Sequence, residues 1–353
     1  KPVAARHNRK AVEADMVLPD REPRPFSASQ TAMVAETAAR LREARRLDRP
    51  RMLVFGAHAI KNGLAPVIIR LMEQGWLTHL ATNGAGIIHD WEFAFIGQTS
   101  EDVSANVARG EFGNWEETGF TINLALNIGA YEGKGYGESV GAMILRNGLD
   151  IPAAEDLRQT VIGNLDADPS KAAAAAELLH IVRRFKLAPG FRAIDHRWNR
   201  FSIQAQALRL GIPFTGHPMI GHDIIYNHPM NDGALLGRAA LRDFLTFAEG
   251  ISRIEHGVYL SVGSAVMSPM IFEKSLSMAQ NLALQNGAPI ANHFMLVVDL
   301  AESRWDWSRG EPPEERPEYY LRHLKSFSRM GGTMRYLAAD NRDFLLHLCQ
   351  TLG

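Results

Sequence analysis

The stretch GHPMIGHDIIYNHP places His217, His222, Asp223 and His228 close together. Three imidazoles and a carboxylate are the donor set of a divalent metal that activates water for hydrolysis or elimination. The spacings of five and six residues do not put three imidazoles on one helix face, so a loop would have to converge them. Neither a His-Glu-x-x-His pattern nor a neighbouring cysteine supports that reading. His228 equally suits a structural role, donating a ring N–H to a backbone carbonyl. A second set lies in two glycine-bearing turns. GAHAIKNG (Gly56 to Gly63) carries His58 and Lys61, cations able to meet a phosphate or a carboxylate, or else a solvated helix start. In TNGAGIIHD (Thr82 to Asp90), Asn83, Gly84 and Gly86 invite close approach of a ligand backbone or of a packing strand. His89 is a candidate acid or base, or a satisfied structural histidine; Asp90 is a ligand or a helix cap.

Elements must hold these groups in place. Met52 to Phe55 and Leu77 to Ala81 are apolar runs that each feed a glycine turn and then a helical pattern. That is strand, turn, helix twice over, the unit from which a parallel sheet builds a crevice for a nucleotide or another anion. Neither turn spells Gly-x-Gly-x-x-Gly. Ser27 or Ser29 caps a helix through Leu47, and Ser100 to Arg146 reads as helix broken at Arg109-Gly110 and around Gly133 to Gly137. Helices follow over Asp168 to Phe185, His196 to Leu210, Ala234 to Glu249, Pro269 to Gln285, Glu318 to Lys325 and Asp340 to Leu352. Strands are expected at Ile212 to Phe214, Gly257 to Val262, His293 to Val298 and Thr333 to Leu337. The alternation predicts an α/β fold with a doubly wound, mostly parallel sheet and an N-terminal helical arm. Residues 1-26, rich in Arg and Pro, read as an extended arm, disordered or draped over a neighbour, and 27-353 as one domain.

GKGYGESVG (Gly133 to Gly141) looks like a phosphate loop, but no strand signal precedes it, so a loop or helix start fits better. Trp305 and Trp307 stack on a ligand or pack a contact; packing is favoured. The composition, 46% hydrophobic and 22% charged with a net charge of -1, describes a globular chain with no electrostatic case for nucleic acid or an anionic membrane. The single cysteine, Cys349, excludes an intrachain disulfide and a cysteine-ligated metal cluster and reads as a buried thiol. No apolar run reaches membrane-spanning length and no signal segment is visible, so a cytoplasmic location is expected.

Four segments together resemble deoxyhypusine synthase, in that family's order. GAHAIKNG sits where the family has a Thr-Ser-Asn-x-x-x-Ser-Gly turn, and TNGAGIIHD matches a Thr-Thr-Ala-Gly-Gly-type turn ending in Asp. GHDIIYNH (Gly221 to His228) matches a Gly-Asp segment ending in His, and PEYYLRHLKSF (Pro317 to Phe327) occupies the place of Pro-Asp-Glu-x-x-Ser-Trp-Gly-Lys. The resemblance runs from Met52 to Leu352 and is poor over Gly110 to Asp168. It implies NAD as hydride acceptor, oxidation of an amine to an imine, capture of the imine by Lys325, and transfer of the alkyl group to an amine acceptor, here a small molecule. On that register Lys325 and Asp223 are catalytic and Asp90 and His228 bind substrate; His89, from its place in the crevice, is added as a catalytic acid or base and His323 as a substrate-binding residue. Gly56, Ala57, His58, Asn83, Gly84, Ala85, Gly86 and Asp340 bind cofactor, and the assembly is a homotetramer with sites at subunit interfaces. Departures are informative: His323 replaces a tryptophan, Ile88-His89 an acidic pair, Pro218 an acid, and Pro269 or Met270 a histidine. Lost carboxylates imply a less cationic substrate than a polyamine. The alternatives are a metal-assisted hydrolase or lyase built on the histidine loop, and a non-catalytic nucleotide-binding protein.

Overall fold

Apolar runs flanked by glycine turns become strands buried on both faces. In the computed structural model, which describes residues 1–353, Arg51–Phe55 and Val258–Val262 are buried at every position. Such strands suit a parallel sheet covered on both sides. The sheet runs Thr333–Ala338, Phe294–Asp299, Val258–Val262, Arg51–Phe55, His79–Asn83, Phe214–His217. Its first five strands pair in parallel. Counted along the chain, the order is 6-5-4-1-2-3. This is the doubly wound arrangement, whose direction of winding reverses between the first strand, Arg51–Phe55, and the fourth, Val258–Val262.

The chain divides into two compact units, and it passes through each more than once. The unit built on this sheet comprises Asp15–Gly86, Leu210–Phe214 and Phe244–Gly353. Its first helix, Ala28–Arg46, starts at a capping box: Ser27 Oγ accepts from the Gln30 N–H and Gln30 Oε1 accepts from the Ser27 N–H. That reciprocal pair satisfies two donors the helix cannot pair itself. Inside, Tyr259 stacks on Phe272 with ring centres 4.2 Å apart, against Met52, Val54, Phe247 and Phe327. Cys349 is buried in the last helix, Asn341–Leu352, as its apolar neighbours require.

The other unit comprises Lys1–Ala14, Ile87–Arg209 and Thr215–Asp243. It is mainly helical, with Glu116–Glu132, Tyr136–Arg146, Ala154–Asn164 and Pro169–Arg184 and two antiparallel ribbons. One ribbon pairs Gly148–Ile151 with Gly190–Ala193; the other pairs Asn8–Ala11 with Gln98–Glu101. The N-terminal residues are therefore not a loose arm within this unit. Val3, Arg6 and Val12 are buried, single anchors without a period that composition would reveal.

Other boundaries move for local reasons. The expected helix from His196 to Leu210 splits into a 3-10 turn, Asn199–Phe201, and Ile203–Arg209, because Asp90 accepts from the Ile203 N–H and fixes the start there. Glu318 to Lys325 likewise becomes Pro317–Tyr320 and Arg322–Ser328, separated at Leu321 with ψ 74°. The strand expected at Ile212 to Phe214 is Phe214–His217. No helix is long and apolar enough to cross a membrane.

Candidate functional site

At the carboxyl end of the first strand the chain turns through Gly56 into the short helix Ala57–Lys61. A Cβ on Gly56 would lie 2.3 Å from the Gly263 carbonyl oxygen, so the two strand ends flanking the winding reversal pass too close for any other residue. His58 is exposed and Lys61 half-buried on the short helix, each with interactions of its own. Asn62 closes the turn by donating to Asn341 Oδ1 at 2.9 Å.

The second strand ends in Thr82 and Asn83 and passes directly into the helix Gly84–Ile96. Thr82 Oγ1 donates to the Phe55 carbonyl at 2.8 Å, tying this strand end to the first. Asn83 Oδ1 accepts from the Gly86 N–H at 2.9 Å. A Cβ on Gly86 would come within 2.1 Å of Thr82 Oγ1. Gly86 is therefore glycine for packing, one of the two readings its sequence left open. The first N–H groups of a helix lack partners within it, and here they issue at the sheet's carboxyl edge beside the reversal.

Three further expected residues lie in this sheet unit. Asp340 caps the last helix by accepting from the Arg342 N–H, and its carboxylate meets Arg342 at 3.0 Å and Arg24 at 3.1 Å. Burial would raise its pKa, but the bonds to Arg342 and the charge of Arg24 hold it below the usual carboxylate range. His323 is half-buried, its Nε2 has no hydrogen-bond partner, and burial lowers its pKa against the opposing charge of Asp299. Lys325 Nζ sits 3.6 Å from Glu311 and 3.5 Å from the centre of the Tyr319 ring. A carboxylate and a π face are both partners suited to an ammonium. Trp305 and Trp307 are packed: their Nε1 groups donate to the Gly310 carbonyl and to Ser303 Oγ, each at 2.9 Å.

The remaining candidates belong to the helical unit. Asp90 is fully buried and works as a cap for the helix Ile203–Arg209, accepting from Ser202 Oγ, the Ile203 N–H and Gln204 Nε2. Burial outweighs those bonds and raises its pKa. His228 Nδ1 accepts from the Met230 N–H at 3.1 Å, and the ring lies against Gly119, where a Cβ would collide at 2.6 Å. Asp223 is half-buried at the start of the 3-10 turn Ile224–Asn227. Its charge, after burial, raises the pKa of the Tyr226 and Tyr136 phenols. Tyr136 Oη and Asn127 Oδ1 are buried without hydrogen-bond partners. Asn123 and Asn127, four residues apart on one helix, donate to the Ile225 and Met230 carbonyls and pin the loop that presents Asp223. Asn123, Asn127, Tyr136 and Tyr226 were not singled out from sequence; the i, i+4 asparagines on an otherwise apolar helix were the available signal.

The glycine cluster Gly133 to Gly141 holds an internal carboxyl group. Asp243 is buried, and its Oδ2 accepts from the N–H groups of Gly137 at 2.9 Å and Gly216 at 2.7 Å. A Cβ on Gly135 would strike Asp243 Oδ1 at 1.7 Å. With no cation beside it, burial prevails over these bonds and pushes the carboxyl up to about 7. The turn is a helix start, filled by the protein's own carboxylate.

The histidine loop does not converge. His217 is buried with Nε2 3.0 Å from Thr215 Oγ1, and burial pushes it down to about 3; His222 is exposed, and His228 is turned to Met230. No group of three histidine, cysteine, aspartate or glutamate side chains is arranged to hold a metal ion. The metal-assisted alternative lacks its donor set.

No protein-family model matches this sequence, and no curated protein matches it. Among solved structures it is similar to a conserved LOR/SDH protein from Methanococcus maripaludis S2, at 12% identity and a TM-score of 0.43, over 95% of this chain and 73% of that one. It is also similar to AgrE, solved as a ternary complex with ornithine and NAD+, at 14% identity and a TM-score of 0.43 over 94% of this chain. ArgZ, an arginine dihydrolase from the ornithine-ammonia cycle in cyanobacteria, shows 15% identity and a TM-score of 0.42 over 93% of this chain. The chain spans only 34% of AgrE and 33% of ArgZ.

Proposed function

We propose that this chain is an NAD-dependent enzyme that oxidises a small amine to an imine, on the plan of the deoxyhypusine synthases its sequence resembles. The observation that carries the cofactor is the strand order, with winding that reverses between Arg51–Phe55 and Val258–Val262. Dinucleotides bind outside the carboxyl ends of the strands at such a reversal. The turns Gly56 to His58 and Asn83 to Gly86 are placed to hold the cofactor, with the start of Gly84–Ile96 offering N–H groups to the pyrophosphate. When bound, the dinucleotide supplies a hydride acceptor. One familiar feature differs: the second strand ends in Asn83, where an acid would bind a ribose hydroxyl.

Asp223, with Tyr226 and Tyr136, is the group suited to hold an amine, since a carboxylate flanked by phenols offers charge and hydrogen bonds to an ammonium. The missing acids favour a small substrate with fewer charges than a polyamine. Transfer of the alkyl group through Lys325 is the further step of this reading. It requires the amine to leave Glu311 and Tyr319 and lose its proton.

A thermal-shift and calorimetric titration with NAD+ tests the cofactor, followed by reduction of NAD+ in the presence of putrescine, spermidine or ornithine, the last because AgrE was solved with it. Saturable binding and NADH formation with at least one amine are expected. Absence of NAD+ binding would sink the proposal. Borohydride trapping then decides transfer: an adduct on the wild type that Lys325→Arg lacks supports it, and none confines the enzyme to oxidation.

A further inference from the structure

His89 lies in the second turn of the helix Gly84–Ile96, and its ring is held from behind by a chain of buried polar groups. Nδ1 is 2.7 Å from Thr99 Oγ1. Thr99 is fully buried, and its hydroxyl donates to Glu92 Oε2. Glu92 also accepts from Arg6 at 2.7 Å and from Thr118 Oγ1 at 3.2 Å, and the Arg6 and Glu92 side chains are each 1% exposed.

The protonation pattern follows from counting hydrogens. Burial alone would make Glu92 hard to ionise, but the nearby His89 ring, 3.8 Å away, and the charge and hydrogen bond of Arg6 push it down to about 2. It is therefore an acceptor only at neutral pH. A threonine hydroxyl has one hydrogen, and Thr99 gives it to Glu92. Toward His89 the same oxygen can only accept. Nδ1 must then carry a proton, and in the neutral ring Nε2 carries a lone pair. Nδ1 faces a buried residue while the side chain keeps 19% of its exposure, which leaves the Nε2 edge as the accessible one.

We propose that Arg6, Glu92 and Thr99 are positioning residues that fix His89 as its Nδ1–H tautomer and present Nε2 as a proton acceptor. A carboxylate held by arginine, a hydroxyl and an imidazole form a fixed relay of orientation, with no proton moved along it. The use of that acceptor in catalysis rests on the amine-oxidation reading. There Nε2 takes one proton from the substrate ammonium, and the C–H electron pair of the neutral amine then leaves as hydride to NAD+, giving the protonated imine (an iminium ion) and NADH. The tautomer itself does not depend on that reading.

The test is long-range 1H–15N correlation on protein labelled with 15N-histidine, with the His89 signal identified by its loss in His89→Gln. Wild type, recorded at a pH where the ring is neutral, is expected to show a protonated Nδ1 and an unprotonated Nε2 at His89. Thr99→Ser should keep that pattern, and Thr99→Val should lose it, giving mixed tautomers. A wild-type His89 with its proton on Nε2, or a Thr99→Val spectrum unchanged at His89, overturns the proposal whatever the activity. With the wild-type tautomer shown and amine oxidation measurable, His89→Gln should lower kcat by about 100-fold or more. An unchanged kcat overturns the catalytic use. If no amine is oxidised, the functional reading falls while the tautomer measurement still decides the positioning.

Discussion

Two glycine-rich turns look alike as sequence and are put to opposite uses. Thr82 to Gly86 and Gly133 to Gly141 both lead into helices of respectable length, Gly84–Ile96 and Tyr136–Arg146. At the second, the carboxylate of Asp243 occupies the helix start and takes the N–H groups of Gly137 and Gly216. At the first, the protein supplies no carboxylate; Asn83 takes the Gly86 N–H with a neutral amide, at the carboxyl edge of a sheet whose winding reverses nearby. A helix start attracts an anion in either case. What separates them is whether the fold fills the helix start with its own carboxyl group.

The largest expected effect comes from emptying the filled turn. Asp243→Ala leaves two buried N–H groups without acceptors and should lower stability by about 3 kcal/mol or more in urea denaturation. A loss under about 1 kcal/mol would mean that Asp243 does not fill the turn, and the contrast would collapse. The wild-type carboxyl also predicts a pH dependence. Its pKa rises from 3.8 to about 7 on folding, so the folded state keeps a proton that the unfolded chain has released. That contribution is complete at low pH and is lost as pH climbs through that window. Glu92, which has Arg6 beside it, behaves oppositely. Its folded pKa of about 2 lies below the ordinary 4.5, so its contribution is present above 4.5 and is lost as pH falls toward 2. Asp243→Asn should flatten the first arm of the stability profile and Glu92→Gln the second; a variant that flattens the wrong arm refutes the assignment.

Much of this was legible beforehand, for identifiable reasons. The parallel strands announced themselves as short apolar runs between glycines, and Ser27, Asp168 and Asp340 marked helix starts that the structure retains. The division into two units was not legible. The chain enters and leaves the sheet unit within continuous elements such as Gly84–Ile96 and Gly233–Ser252, so no linker composition marks the change. The buried carboxylates were invisible for another reason. Asp90, Glu92 and Asp243 satisfy groups far away in sequence, such as Ser202, Arg6 and Gly137, and no local pattern encodes those partners. The N-terminal ribbon escaped notice because its anchors, Val3, Arg6 and Val12, are isolated residues in a polar stretch.

The glycines of the sheet edge separate by what they press against. Gly56→Ala directs its Cβ at the Gly263 backbone oxygen, and no rotamer relieves that, so a loss of about 2 kcal/mol is expected. Gly86→Ala meets the side chain of Thr82 instead. Its cost should be smaller in a Thr82→Ala background, giving a coupling of about 1 kcal/mol in a double-mutant cycle, whereas Gly56→Ala should add to Thr82→Ala without coupling. Coupling at both glycines, or at neither, would show that the two turns are not held as described.

The smallest effect addresses the open turn most directly. With Asn83 at the end of the second strand, no carboxylate is there to bind the ribose 2′-hydroxyl or to repel a 2′-phosphate. Wild type should therefore bind NAD+ and NADP+ within about tenfold of each other, or about 1.4 kcal/mol. Asn83→Asp is nearly isosteric, and either oxygen can still accept from the Gly86 N–H, so the turn should keep its shape. The added charge should weaken NADP+ about tenfold more than NAD+. Calorimetric titration of both dinucleotides against both proteins measures this. Equal losses for the two would mean that the charge disturbs a pyrophosphate rather than a ribose. No loss for either would place the dinucleotide away from Asn83, and the open turn would then have to be assigned another anion.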